Sequence, residues 1–481
     1  MFSSSHVFAT VAFLVTSSIC VGILWRFSAP RVPSFDTPPR EAHEPYLVQL
    51  RRESVPVKRK GEVVSHKTSY SGVLSVGVGD QVPQEFRVVF DTGSGHVVFP
   101  SAGCKSESCR MHRRYDVSQS PSATPINADG STVPPDELCD QVKIGFGTGS
   151  VVGEFVRDTV CLGSASAGGA QWRDSICQEV QIVTAVEMST IPFKNFGFDG
   201  ILGLGLKSLA LSPDFSFFNL LSNGNKLGAP HFGVFLTDDN SGETSEIAIG
   251  GHNPARLLQP LAWSPVAKPE LGYWQVEITA VRVNGVELDF CRDGSCRGVM
   301  DTGTSHLGIP APHDKSLAEL LTADAADLSD CREVHAPVLE IEVPGFNITL
   351  DPENYMRRLP LRAGINVGSS KGVVLPSQAE STTTLPPTVL RDDGSEVERY
   401  CRPRLMPVNL PAPVGPHLFI LGEPVLQRYY TVFDWKGPSI GFGLSTNAKK
   451  GKKAGIEDDG VMFFQVTITV RRSNTRLFAL A

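Results

Sequence analysis

A chain of 481 residues is too long for one ordinary core, so two lobes of comparable size with flanking segments are expected. With 41% hydrophobic and 20% charged residues and a net charge of -7, it reads as a folded protein and not as a nucleic-acid binder, whose partner surface would be basic. Its 45 Gly and 35 Pro, set among few long helical patterns, predict a mostly β chain of short strands and turns.

The first element is an uncharged apolar run of nineteen residues, Val7 to Trp25. Its length lies between a signal peptide and a spanning helix, so residues 1–25 are expected to direct the chain to the secretory pathway as a cleaved signal or a membrane anchor. Nine of the ten cysteines follow this run, which suits an oxidising compartment: secreted, in an acidic vesicle or vacuole lumen, or membrane-anchored with a lumenal body. Residues 26–69 are proline-punctuated and basic, with Arg51, Arg52, Lys58, Arg59 and Lys60, and read as a spacer or pro-segment. From Tyr70 the texture changes to alternating apolar and small residues, and the folded body is expected to begin there. One lobe is expected over 70–262 and a second over 263–446, with long polar excursions at 105–138 and 363–400. The tail, 447–481, carries the ten-residue stretch VMFFQVTITV, too short to span a bilayer but able to add an edge strand.

An internal repeat carries the chemistry. Val88 to Gly95 reads VVFDTGSG, and Gly298 to Ser305 reads GVMDTGTS; the two aspartates, Asp91 and Asp301, are 210 positions apart. Each copy is followed by an apolar-apolar-Gly element, GILGLG at Gly200–Gly205 and FILGEP at Phe419–Pro424. One Asp-Thr-Gly is most simply a turn, but two with matched downstream elements indicate a duplicated lobe. If the lobes face each other, Asp91 and Asp301 meet and cannot both ionise freely, so they share a proton. One carboxyl then takes a proton from a water while the other donates to a scissile carbonyl. Gly93 and Gly303 permit the tight turn, Thr92 and Thr302 can link the lobes through their hydroxyls, and Ser94 and Thr304 can bond the outer carboxylate oxygens.

With these motifs, and with IGFGTGSVVG, GYWQVEITAVRVNG and the closing FILGEPVLQRYYTVFDWKGPSIGFG in the same order, the chain resembles the pepsin-like aspartic proteases from about Tyr70 to Ser445. The texture around GHVVFPSAGC is also similar to aspartic proteases of unicellular parasites and their relatives. The resemblance implies a bilobal, mostly β fold with a cleft between two related lobes. It further implies an endopeptidase that needs no cofactor and acts as a monomer on protein or peptide substrates. It places a substrate-covering flap at Ile144–Val151, with Phe146, Gly147, Thr148 and Ser150 as substrate-binding positions. The family's flap tyrosine is Phe146 here, and the tryptophan that pairs with it is Val98, a joint loss that implies purely apolar packing. A second departure is Glu423, where the family more often has Asp. By resemblance to zymogens, the basic segment would hold the cleft shut through a Lys or Arg paired with both catalytic carboxylates. The alternative to an enzyme is a protease-shaped binding protein without turnover.

The same resemblance implies bridges Cys104–Cys109, Cys291–Cys296 and Cys331–Cys401, and leaves Cys139, Cys161 and Cys177 unassigned. A four-thiolate zinc site from the two short pairs is the rival reading, against which the C-x4-C spacing counts, so no metal is expected. His96 and His306 occupy equivalent places five residues beyond each aspartate and read as packing residues. Asn347 opens the chain's one glycosylation sequon, Asn-Ile-Thr.

Overall fold

Strand β3 (Gln84–Asp91) shows why the chain folds as it does. Its outer half alternates between half-buried and buried positions, whereas Val89–Asp91 is buried throughout, as expected where a strand passes from a half-covered sheet into the interior. The computed structural model describes residues 44–59, 62–78, 82–147, 149–164, 176–224, 226–238, 242–362, 399–449, 468–472 and 476–480. The apolar run at 7–25 and most of the excursion at 363–400 therefore lie outside the described residues. The architecture is mostly strand with a few short helices, in accord with the bilobal pepsin-like fold.

Upstream of β3 run β1 (Tyr46–Arg59) and β2 (Glu62–Val76), and downstream of it β4 (Val97–Pro100), β5 (Thr124–Ile126), β6 (Gln141–Phe146), β7 (Gly149–Leu162), β8 (Cys177–Met188) and β9 (Gly200–Gly203). In the largest sheet β2 lies beside β3, followed by β9, β4, β8, β7 and β6. Strands His231–Phe235 and Ser245–Ile249 share this sheet with Tyr429–Asp434 and Ser439–Leu444 from near the C-terminal end of the second expected lobe. The second half also builds a smaller sheet in which Arg297–Met300 runs parallel to Leu418–Leu421.

One boundary differs from expectation. Strand pairing does not begin at Tyr70 but at Tyr46: Tyr46–Leu50 pairs with Ser245–Ile249, and Arg51–Arg59 with β2. Val48 and Leu50 are 5% and 4% exposed within the main core, so the segment YLVQL alternates in and out as a buried-edge strand must. Basic composition hid that alternation. At the other end, Ile468–Arg472 and Arg476–Leu480 form a hairpin whose first strand pairs antiparallel with β6, from Ile468 opposite Ile144 to Arg471 opposite Gln141. Among the described residues no helix is long and apolar enough to cross a membrane.

Candidate active site

Each half places its Asp-Thr-Gly at the end of a buried strand and braces it with its own apolar-apolar-Gly element. In the first half β3 runs parallel to β9 with Asp91 opposite Gly203, and Leu204 N–H donates to Asp91 O at 2.7 Å. In the second half Met300 lies opposite Leu421, Asp301 N–H donates to Leu421 O at 3.2 Å, and Glu423 N–H donates to Thr304 O at 2.8 Å. The glycines of these two braces have one job: a Cβ on Gly203 would lie 2.6 Å from Ser94 O, and one on Gly422 would lie 2.3 Å from Thr304 O.

The two loops meet. Thr92 N–H donates to Thr302 Oγ1 and Thr302 N–H donates to Thr92 Oγ1, both at 3.0 Å. Thr92 Oγ1 donates onward to Met300 O at 2.8 Å and Thr302 Oγ1 to Phe90 O at 2.6 Å. Asp91 and Asp301 are 0% and 2% exposed. A Cβ on Gly93 would lie 3.2 Å from the Oδ1 atoms of both, so the two carboxyls converge on the space that a side chain at 93 would occupy. Gly93 N–H donates to Asp91 Oδ1 at 2.9 Å, and Gly303 N–H to Asp301 Oδ1 at 2.7 Å.

The outer oxygens differ. Thr304 Oγ1 donates to Asp301 Oδ2 at 2.6 Å, whereas the buried Ser94 hydroxyl favours the ionised form of Asp91 without reaching hydrogen-bond geometry, and Asp91 Oδ2 has no donor. Burial, and then the charge of Asp301, raise the pKa of Asp91 well above the ordinary carboxylate range. Burial also raises Asp301, opposed first by the Thr304 hydroxyl and then by Gly303 N–H. The pair therefore holds a proton where isolated carboxylates would not. In the basic segment Arg51 pairs with Glu53 at 2.9 Å and Arg52 stands across from Tyr70 in the β1–β2 ladder, while the side chains of Lys58, Arg59 and Lys60 lie outside the described ones.

The flap positions divide. Phe146 ends β6 at 1% exposure, with its ring edge-on to Phe193 at 5.7 Å, in an apolar cluster that also holds Val98 and Ile201. Gly147 takes the turn at φ +56°, which favours glycine, and Thr148 lies outside the described residues. Ser150 N–H donates to Ser189 Oγ at 3.0 Å, tying the hairpin to the end of β8. His96 is buried; its Nε2 accepts from Leu211 N–H at 3.0 Å, and burial lowers its pKa to about 4. His306 lies 3.2 Å through Nε2 from the guanidinium of the buried Arg357.

The structure contains the bridges Cys104–Cys109, Cys291–Cys296 and Cys331–Cys401, and adds Cys161–Cys177 between the adjacent strands β7 and β8. Among the described residues Cys139 alone is a free cysteine. Asn347 is exposed on strand Phe346–Leu350. Tyr273 was not singled out by sequence; it is 9% exposed, and burial, followed by the charges of Asp301 and Asp91, pushes its hydroxyl up to about 12. It sits in the segment GYWQVEITAVRVNG, but nothing in the linear pattern marks it as lying beside the carboxyl pair.

A family model described as eukaryotic aspartyl protease matches residues 69–363. Cathepsin E of Mus musculus is 29% identical over 377 residues, covering 77% of this chain and 79% of that protein. Cathepsin E of Rattus norvegicus is 30% identical over the same length and shares. Gastricsin of Macaca fuscata fuscata is 26% identical over 385 residues, covering 78% of this chain and 84% of its own.

Proposed function

The chain belongs to the eukaryotic aspartyl protease family, and on that premise we propose that it hydrolyses peptide bonds with a water activated between Asp91 and Asp301. The observation that carries this reading is the convergence of two buried carboxyls, with raised pKa values, around the side-chain-free Gly93. The ionised member of the pair draws a proton from the water as its oxygen attacks the scissile carbonyl. The protonated member donates to the carbonyl oxygen, and the resulting tetrahedral intermediate collapses with proton transfer to the departing amine. The three N–H and O–H donors on the two aspartates hold them in place without neutralising them.

Activity then requires the singly protonated pair and is lost as pH rises far enough to remove its last proton. An acidic or mildly acidic lumen of the secretory pathway suits both this requirement and the four bridges. The test is hydrolysis of a denatured protein between about pH 3 and pH 7 by the wild type, Asp91→Asn and Asp301→Asn. Each substitution is expected to lower kcat by a factor on the order of 10⁴. Retention of hydrolysis by either variant overturns the mechanism, and tight peptide binding without turnover by the wild type points instead to a binding protein.

A further inference from the structure

Behind the Asp301 loop lies a buried polar chain that the reaction itself does not use. Glu423 is 2% exposed. Its Oε1 accepts from Tyr70 Oη at 2.8 Å and from Gln427 Nε2 at 2.6 Å, and its Oε2 faces Arg404 at 3.5 Å. A carboxylate taken out of water keeps its charge only with partners of this kind, so its position is tightly determined. Glu423 N–H donates to Thr304 O at 2.8 Å, and Thr304 Oγ1 donates to Asp301 Oδ2 at 2.6 Å. Because a Cβ on the adjoining Gly422 would lie 2.3 Å from Thr304 O, the two backbones touch and a shift of one moves the other.

The far end of the chain reaches the N-terminal strand. Tyr70, on β2, is 5% exposed, and its hydroxyl has two acceptors for one proton, Glu423 Oε1 and Thr237 O at 2.9 Å. Directly across the β1–β2 ladder from Tyr70 is Arg52. The cation favours the ionised hydroxyl, in opposition to Glu423. Strand β1 is not laid on the surface: it pairs with Ser245–Ile249 and β2 and places Val48 and Leu50 in the core.

We propose that Arg52, Tyr70 and Glu423 are positioning residues for Asp301, and that β1 is therefore a retained part of the active protein, any removable leader ending before Tyr46. The inference rests on the catalytic reading above. Removing Arg52 with β1 leaves the buried Tyr70–Glu423 pair short of a cation, and loosening Glu423 loosens the Thr304 bond that favours the ionised form of Asp301.

The experiment measures kcat, KM and the pH profile of full-length Tyr70→Phe, Glu423→Gln and Arg52→Gln, with Asp301→Asn in parallel, and the N-terminus of the active wild-type protein. Tyr70→Phe deletes one oxygen from a packed ring and is the variant best able to fold. It is expected to lower kcat about tenfold with KM within about twofold, and to move the acid limb of the profile to higher pH, because Asp301 then protonates more readily. Glu423→Gln is expected to do the same more strongly, and Arg52→Gln more weakly. The active protein is expected to start at or before Tyr46. Wild-type kcat and acid limb in Tyr70→Phe and Glu423→Gln, or full activity in a protein that begins beyond Arg59 and has lost β1, overturn the inference while Asp301→Asn remains inactive. Hydrolysis by Asp301→Asn overturns the catalytic reading instead.

Discussion

Thr92 and Thr302 each donate a backbone N–H to the other's side-chain oxygen, at 3.0 Å in both directions. The exchange is reciprocal because each hydroxyl passes its own proton to a carbonyl of the opposite loop, leaving its lone pairs free to accept. Two segments 210 positions apart are thereby held in one geometry. Thr92→Val or Thr302→Val strands a buried N–H and a carbonyl, and each is expected to destabilise the protein by about 1–3 kcal/mol. Because the carboxyl pair loses alignment as well, kcat is expected to fall by about tenfold or more, while Thr302→Ser stays near wild type. Thermal melts and kcat on a peptide substrate check both.

The carboxyl pair has a cost in stability whose sign can be worked out. Burial raises both pKa values in the folded state, so folding favours the protonated forms and stability falls as pH rises from the ordinary carboxylate range through the raised values. Asn cannot ionise, so Asp91→Asn is expected to melt above wild type at pH 7, by on the order of 2 kcal/mol. The difference should vanish below about pH 4, where the unfolded carboxyls are protonated too. A pH series of melting curves decides it, and an Asn variant less stable than wild type at pH 7 contradicts the assignment.

His96 behaves in the opposite sense. Its pKa falls from 6.5 to about 4 on burial, so its contribution is fully present above the unfolded value and is lost as pH drops through this window. The loss amounts to on the order of 3 kcal/mol over the full window. His96→Gln, which keeps a side-chain acceptor without a proton to bind, is expected to flatten the stability profile between pH 6.5 and about 4. Chemical denaturation at both ends of the window measures it.

At the flap, Phe146 and Val98 share one apolar cluster with Phe193 and Ile201, so a hydroxyl introduced at 146 finds no partner among them. Phe146→Tyr is expected to destabilise the protein by about 1–3 kcal/mol. On the proposed reading, in which the hairpin covers substrate without touching the reacting atoms, it should also raise KM more than it lowers kcat. Phe146→Leu, which keeps the packing apolar, should show the smaller KM change.

Much of this protein was legible in one dimension. Two Asp-Thr-Gly motifs with matched Gly elements predicted the duplicated lobe and the carboxyl pair, because a turn that must bring a backbone N–H to a carboxylate admits few residue types. Cysteine spacing alone, by contrast, left the partner of Cys161 open; the register of β7 and β8 places Cys161 opposite Cys177.

What only the tertiary structure decided are relations between residues distant in sequence. Tyr70 and Glu423 are 353 positions apart, and no periodicity links them; they meet because β2 and the turn after Leu418–Leu421 are brought together behind the Asp301 loop. Strand β1 was hidden for a related reason: charge at Arg51, Arg52, Lys58 and Arg59 made it look like a solvated linker, and only its neighbours on both sides make it a strand. Local motifs encode chemistry that a turn can hold by itself, whereas burial and pairing depend on what the rest of the chain brings alongside.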